Sequence, residues 1–288
     1  MTKKFLLGML TLMLMVSCER SFSVKQLDGN VILKFSPYDM TTITKASNVS
    51  IVEVASKINL MFFNSEGEKV LSQVKTQTKE DSNFGILHLS LNSGTYHLVA
   101  VAHSSYNSAS IKSLQQVTFT AHEGEKLTDT FYYCGELSVT EEPQTYDIVL
   151  KRNIAMFRLV MTDEYIPEEV AKIKFDYTGG SANFNPSTGQ GCTKSTQSET
   201  RQINDKNIYE IYTFPYLNES GKLKITISAL DSENMILATK VFADVPVTAN
   251  MVTEYKGEFF DGSPLVSSES NFNFVADAEW QKINTFEF

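Results

Sequence analysis

Apolar and polar residues alternate with a period of two along much of this chain, the pattern of strands that bury one face. The run KLKITISALDSEN shows it most strictly. Leu223, Ile225, Ile227 and Ala229 fall on one side, and Lys224, Thr226 and Ser228 on the other. In KINLMFFNSEGEKV, Ile58, Leu60 and Phe62 share a face and Asn64-Ser65-Glu66-Gly67 makes a turn. GILHLSLNSGTYHLVAVAH reads as a hairpin, two β-rich runs joined through Asn92-Ser93-Gly94, where glycine supplies a positive φ. Further strands are predicted at 31–35, 117–120, 128–133, 146–161, 172–177, 208–214, 235–242 and 252–260. The clearest helical hint is YIPEEVAK, where Pro167 and two acids suit a first helical turn, and it predicts one or two turns.

Many short strands with regular turn signals make this an all-β chain of sandwich type rather than an α/β one. The polar segment TEEPQTYD precedes the long run DIVLKRNIAMFRLVM, so a boundary is expected near residue 145. That gives an N-terminal sandwich over 18–145 and a C-terminal one over 146–288. The halves resemble each other loosely, each having a strand, an acidic turn (NSEG, DSEN) and a second strand. Residues 178–206, rich in Gly, Ser, Thr, Asn and Gln, read as a long surface excursion.

The first residues follow a different pattern. Lys3 and Lys4 precede an apolar stretch from Phe5 to Val16. It is too short for the roughly 20 residues that span a bilayer, so residues 1–17 read as a secretory signal. The stretch ends in Met15-Val16-Ser17-Cys18, which resembles a bacterial lipobox. A lipobox implies acylation of the Cys18 thiol, a covalent lipid with Cys18 as the new N-terminus, and tethering outside the cytoplasm.

Composition narrows the chemistry. A net charge of −9 lacks the basic footprint that nucleic acid requires. Besides Cys18 the cysteines are Cys134 and Cys192; an exported protein permits a bridge between them, and two free buried thiols are the leading expectation. No Cys/His spacing resembles a zinc site. His97 and His103 lie six residues apart on one strand, roughly 20 Å, too far to share a metal. His88 and His97 could meet across the expected hairpin but read as solvent-face residues. The acids at Glu123-Gly124-Glu125, Glu141-Glu142 and Glu168-Glu169 sit in solvated loops, and neighbours on a strand point to opposite faces. There is no G-x-S-x-G, phosphate-binding glycine loop or H-E-x-x-H. No catalytic residue, metal or cofactor is therefore expected, and no small-molecule substrate.

Several stretches, taken in order, resemble the fimbrillin-A-associated anchor family of Bacteroidales, the FimB-like fimbrial lipoproteins. They are the lipobox at Cys18, INLMFFNSEGEKV, LHLSLNSGTYHLVAVAH, DTFYYCGEL, IVLKRNIAMFRLVM, VPVTANMVTEYKGEFF and VADAEW. Cys134 before Gly135, and Ala249 where a basic residue is common, depart from the family pattern, and 178–206 matches poorly. The resemblance implies two tandem transthyretin-like antiparallel β-sandwiches and a place in type V pili, with other fimbrial subunits as partners. It also implies that shaft subunits are cut after an arginine, lose an N-terminal strand with its lipid, and receive a neighbour's strand in its place. An anchor keeps both.

The arginines then discriminate between the two. Before Arg152 the only one is Arg20, too early to free the expected first strand, Val31-Ile32-Leu33-Lys34-Phe35; Arg152 and Arg158 fall inside a core run. Lys25, Lys34 and Lys45 would matter only to a lysine-directed protease. The expectation is a non-enzymatic outer-membrane anchor or accessory subunit with lipid on Cys18 and a retained first strand (Val31, Leu33 and Phe35 inward). Trp280 in the C-terminal tail is the candidate contact with another subunit. The alternatives are a proteolytically matured shaft or tip subunit, and a glycan-binding surface lipoprotein.

Overall fold

The computed structural model describes residues 29–37, 50–216, 221–260, 280 and 282–287. Its first half comprises β1 (Val31–Pro37), the single helical turn α1 (Ile51–Val54), β2 (Lys57–Phe63), β3 (Lys75–Thr78), β4 (Ile86–Leu89), β5 (Gly94–His103), β6 (Ser110–Ser113), β7 (Gln116–Thr118), β8 (Thr130–Val139) and β9 (Gln144–Arg152). The second half comprises β10 (Ala155–Met161), β11 (Lys172–Ser181), β12 (Asn183–Asn185), β13 (Gln190–Gly191), β14 (Lys194–Gln202), β15 (Ile208–Pro215), β16 (Lys222–Leu230), β17 (Ile236–Pro246), β18 (Met251–Gly257) and β19 (Lys282–Glu287).

The strand pairing repeats. In the first half β1 lies parallel to β9 and antiparallel to β4, while β2 joins β3 and β5, and β5 joins β8. In the second, β10 lies parallel to β18 and antiparallel to β15, while β11 joins β14 and β16, and β16 joins β17. Each half is thus a seven-strand unit whose first strand lies beside its last. The loose similarity of the halves is a similarity of topology. Each unit also inserts a short strand pair, β6–β7 or β12–β13, and β7 pairs with β12 to form one four-stranded sheet. The C-terminal β19 runs parallel along the outer edge of β18.

The alternation seen in the sequence has a direct cause. Ile58, Leu60 and Phe62 join Val31, Leu33 and Phe35 in the core of the first unit, and Leu223, Ile225 and Ile227 join Phe157 and Phe175 in that of the second. β2 and β5 are nevertheless apolar on both faces, because the reverse face is also covered. Met61, Phe63, Val99 and Val101 pack against Ile111, Val117, Phe184, Phe214 and Val252 in a core shared by the two halves.

Four expectations are corrected. Residues 178–206 are no surface excursion: they form the end of β11 and then β12, β13 and β14, and Phe184 is fully buried in the shared core. Gly189 permits this, with φ +76° and Tyr132 packed where a Cβ would sit. The run 146–161 is two strands. β9 closes the first sheet, Asn153 and Ile154 form the joint, and β10 opens the second. β4 and β5 are no hairpin: β5 has β2 and β8 on its edges, so β4 crosses to pair with β1. His88 therefore sits opposite Ile32 and His97 opposite Glu136. Finally, Pro167–Val170 makes a turn closed by the Val170 N–H donating to the Pro167 carbonyl at 3.0 Å, and no helix follows because Lys172 already begins β11.

Cys134 and Cys192 are unbridged and half-buried, and burial pushes the Cys134 thiol up. His103 is buried, with Nε2 2.8 Å from Asn59 Oδ1, while Nδ1 accepts the Ser105 N–H at 3.1 Å. Desolvation, assisted by the charge of Lys57, lowers its pKa to about 3, which marks it as a neutral core residue.

Candidate functional site

β1 is held along its whole length. Its register with β9 runs from Val31 opposite Gln144 to Pro37 opposite Leu150, and with β4 from Val31 opposite Leu89 to Lys34 opposite Ile86. Both edges therefore carry ladder partners over the first four residues, and beyond β4 the Phe35 N–H donates to the Gly85 carbonyl at 2.8 Å. Asn30 fixes the start. Its Nδ2 donates to the carbonyls of Leu91 (2.8 Å) and Thr140 (2.7 Å), and its Oδ1 accepts the Leu91 N–H at 3.0 Å. Gly29 is required by close approach, since a Cβ there would lie 2.6 Å from the Leu89 oxygen.

The inward side chains are the predicted ones. Val31 and Leu33 are fully buried and Phe35 nearly so, while Lys34 points outward. Burying a Val, Leu or Phe side chain is worth about 1.5–3 kcal/mol, so the three together supply roughly 5–9 kcal/mol. That is comparable with the entire stability of an ordinary domain, about 5–15 kcal/mol. β1 is thus an integral strand of the first unit. Cys18 and Arg20 lie outside the described residues, as do Lys25 and Lys45.

At the joint between the units, Arg152 ends β9 with only 5% of its side chain exposed. Its Nε and Nη2 donate to the two Asp129 carboxylate oxygens, both at 2.8 Å, and Nη1 donates to Asn250 Oδ1 at 3.0 Å. The guanidinium lies 4.7 Å from the Phe131 ring centre and 4.0 Å from that of Trp280. A planar fork that pairs with a carboxylate and stacks on aromatic faces is the particular capacity of arginine. This places Trp280 differently from the sequence expectation. The indole is buried, 4% exposed, against Arg152 and near Tyr212, so it serves as internal packing where the tail rejoins the second unit ahead of β19. Its position in the tail was legible, but its partner Arg152, far away in sequence, was not.

A second buried charge group lies under β14. Glu199 accepts the Tyr177 hydroxyl at 2.6 Å through Oε1 and Arg201 Nη2 at 2.6 Å through Oε2. Burial raises the Glu199 carboxyl, opposed by the Arg201 charge, and raises the Tyr177 hydroxyl. Arg201 also reaches Glu125 of the first unit at 3.5 Å. Among the described residues no three His, Cys, Asp or Glu converge as metal ligands, and no helix is long and apolar enough to cross a membrane.

The sequence model for fimbrillin-A associated anchor proteins Mfa1 and Mfa2 matches residues 17–283. No curated protein matches the chain in sequence. Among solved structures, a proposed polysaccharide-binding protein from Bacteroides thetaiotaomicron aligns at a TM-score of 0.50 and 10% identity, over 70% of this chain and 76% of its own. A proposed adhesin from Bacteroides ovatus aligns at 0.50 and 13%, over 73% and 76%. These two share the fold. The fimbrial anchor protein Mfa2 from Porphyromonas gingivalis aligns at 0.41 and 13%, over 73% and 80%.

Proposed function

Because the chain belongs to the fimbrillin-A associated anchor family, we propose that it is a non-catalytic subunit at the base of a fimbria, tethered to the outer membrane by lipid on Cys18 and retaining its own first strand. The observation that carries this reading is the position of β1. It is paired on both edges and supplies core side chains, and no arginine lies between Arg20 and Arg152 at which it could be cut away. A cut after Arg20 leaves β1 in place. Arg152 and Arg158 lie within β9 and β10. Lys34 lies within β1 itself, where ladder bonds on both sides deny a protease the free extended backbone it needs.

Chain direction supports a division of labour between the two ends. Val31 is level with the start of β9, whereas the joint to the second unit follows the end of β9, so a tether ahead of Gly29 leaves from the end opposite the joint. In the second unit, the β16–β17 tip lies at the end away from that joint, with Met235 64%, Ile236 66% and Leu237 45% exposed. Three consecutive exposed apolar residues are unusual on a monomer surface and mark interaction sites. With Trp280 buried, this tip replaces it as the surface offered to the next fimbrial subunit.

The test is a Cys18→Ala exchange followed by separation of cells from medium. The expected result is transfer of most fimbriae to the medium. Fimbriae that remain cell-bound at unchanged length would overturn the anchoring role.

A further inference from the structure

Three open hollows run in series, the first two along the boundary between the two units and the third on the second unit alone. The first, about 660 Å³, is bordered by Tyr106 and His122 of the first unit and by Arg201 and Gln202 of the second. The next, about 290 Å³, shares Glu125, Arg201 and Gln202 with it and extends to Tyr209. The third, about 610 Å³, shares Asn204, Ile208 and Glu210 with the second and ends at Arg158. Shared walls make them one elongated groove rather than separate dents. The anchoring role uses none of its residues.

Its chemistry is selective. Tyr106 is 68% exposed, yet one ring face lies flat on the His122 imidazole, with centroids 3.5 Å apart and planes 8° from parallel. This holds a rigid aromatic surface in solvent at one end of the groove. Arg201 is fixed by Glu199 at 2.6 Å and Glu125 at 3.5 Å, so it forms a wall rather than a free anion receptor. Gln202, which lines two of the three hollows, makes no side-chain hydrogen bond to the described residues and offers both a carbonyl and an amide group. Four Lys or Arg face four Asp or Glu along the groove, so it carries no net charge.

We propose that this groove binds a neutral glycan chain, one sugar ring stacking its C–H face on Tyr106 and the hydroxyls of the next bonding to Gln202. Balanced charge disfavours a sulfated or uronic polymer, which would need a surplus of cations. An extended peptide would require apolar pockets at alternate positions, whereas Leu127 and Ile208 are the only aliphatic side chains in the lining. A polar, elongated groove with an aromatic end fits linked sugars, which present hydroxyls at their edges and C–H groups on their faces.

The test uses the full protein in detergent, run by affinity electrophoresis through gels containing dextran, a mannan or a galactan, with heparin and an unstructured polar peptide as controls. At least one neutral polysaccharide is expected to retard it. Tyr106→Ala should weaken that binding about tenfold, and Gln202→Ala about three- to tenfold, the loss of one ring contact or one hydrogen bond. The unfolding temperature should be unchanged for Gln202→Ala and lowered by no more than a few degrees for Tyr106→Ala, which gives up only the stack on His122. Retardation by heparin alone, binding of the peptide alone, retardation undiminished in both variants, or no retardation in any gel would overturn the proposal. The Tyr106→Ala variant should still hold fimbriae on the cell, so glycan binding and anchoring fail separately.

Discussion

Leu33→Asp is expected to abolish folding of the first unit, whereas Lys34→Thr one residue later, which keeps strand propensity and places no like charge opposite Asp147, changes stability by less than about 0.5 kcal/mol. Leu33 is fully buried in a core that also contains Ile58, Phe62 and Leu98. Truncating such a residue costs about 2–5 kcal/mol, and an unpaired carboxylate there adds its desolvation. The combined penalty of about 5–10 kcal/mol is comparable with the whole margin of a typical domain, about 5–15 kcal/mol. Lys34 shares the backbone ladder but faces solvent, where substitutions are nearly neutral. The pair therefore separates the role of the inward row from that of the strand as a whole. Urea titration followed by tyrosine fluorescence reads both. Equal, small effects would mean that β1 is loosely attached, contrary to an integral strand.

Arg152→Ala is expected to cost about 3–5 kcal/mol, chiefly through the polar and ring contacts of the guanidinium rather than the two methylenes that go with it. The half-buried Asp129 carboxylate would lose both charge-assisted bonds, the Asn250 amide oxygen its donor, and the Trp280 ring its stacked cation. Removing the arginine takes two charge-assisted bonds from a carboxylate that is largely shielded from water, which accounts for the size of the effect. Arg152→Lys should recover only part of the loss, because an ammonium cannot make the two parallel bonds or lie flat on the ring. Chemical denaturation reads the change as a lower midpoint at unchanged slope. A loss below about 1 kcal/mol would show that the joint is held by its apolar core alone.

What the sequence revealed and what it concealed follow from the range of the interactions. Val31-Leu33-Phe35, Ile58-Leu60-Phe62 and Leu223-Ile225-Ile227 were legible because one buried face writes its period of two directly into the chain. β14, KSTQSETRQ, was not. Its inward Glu199 is compensated by Tyr177 and Arg201, so a strand that buries only Gln197 and Glu199 looks like a polar loop. The β4–β5 segment misled for a different reason. Both runs and the glycine turn suit a hairpin, but which edges are free depends on β1, β2 and β8, all distant in sequence. Pro167 and its two acids carry real helix-start chemistry, yet the next strand begins before a turn of helix can close. At the candidate site the first strand could be read locally. The burial of Trp280 against Arg152 could not, since it is a tertiary contact between residues more than a hundred positions apart.

An anchor of this kind keeps its N-terminal strand and its lipid together. The most direct measurement is the intact mass and N-terminal sequence of the mature protein taken from fimbriated cells. The expected product begins at an acylated Cys18 and continues unbroken through Val31–Pro37. A mature chain starting beyond Pro37, without lipid, would contradict the anchor assignment and return the protein to the class of subunits that surrender their first strand.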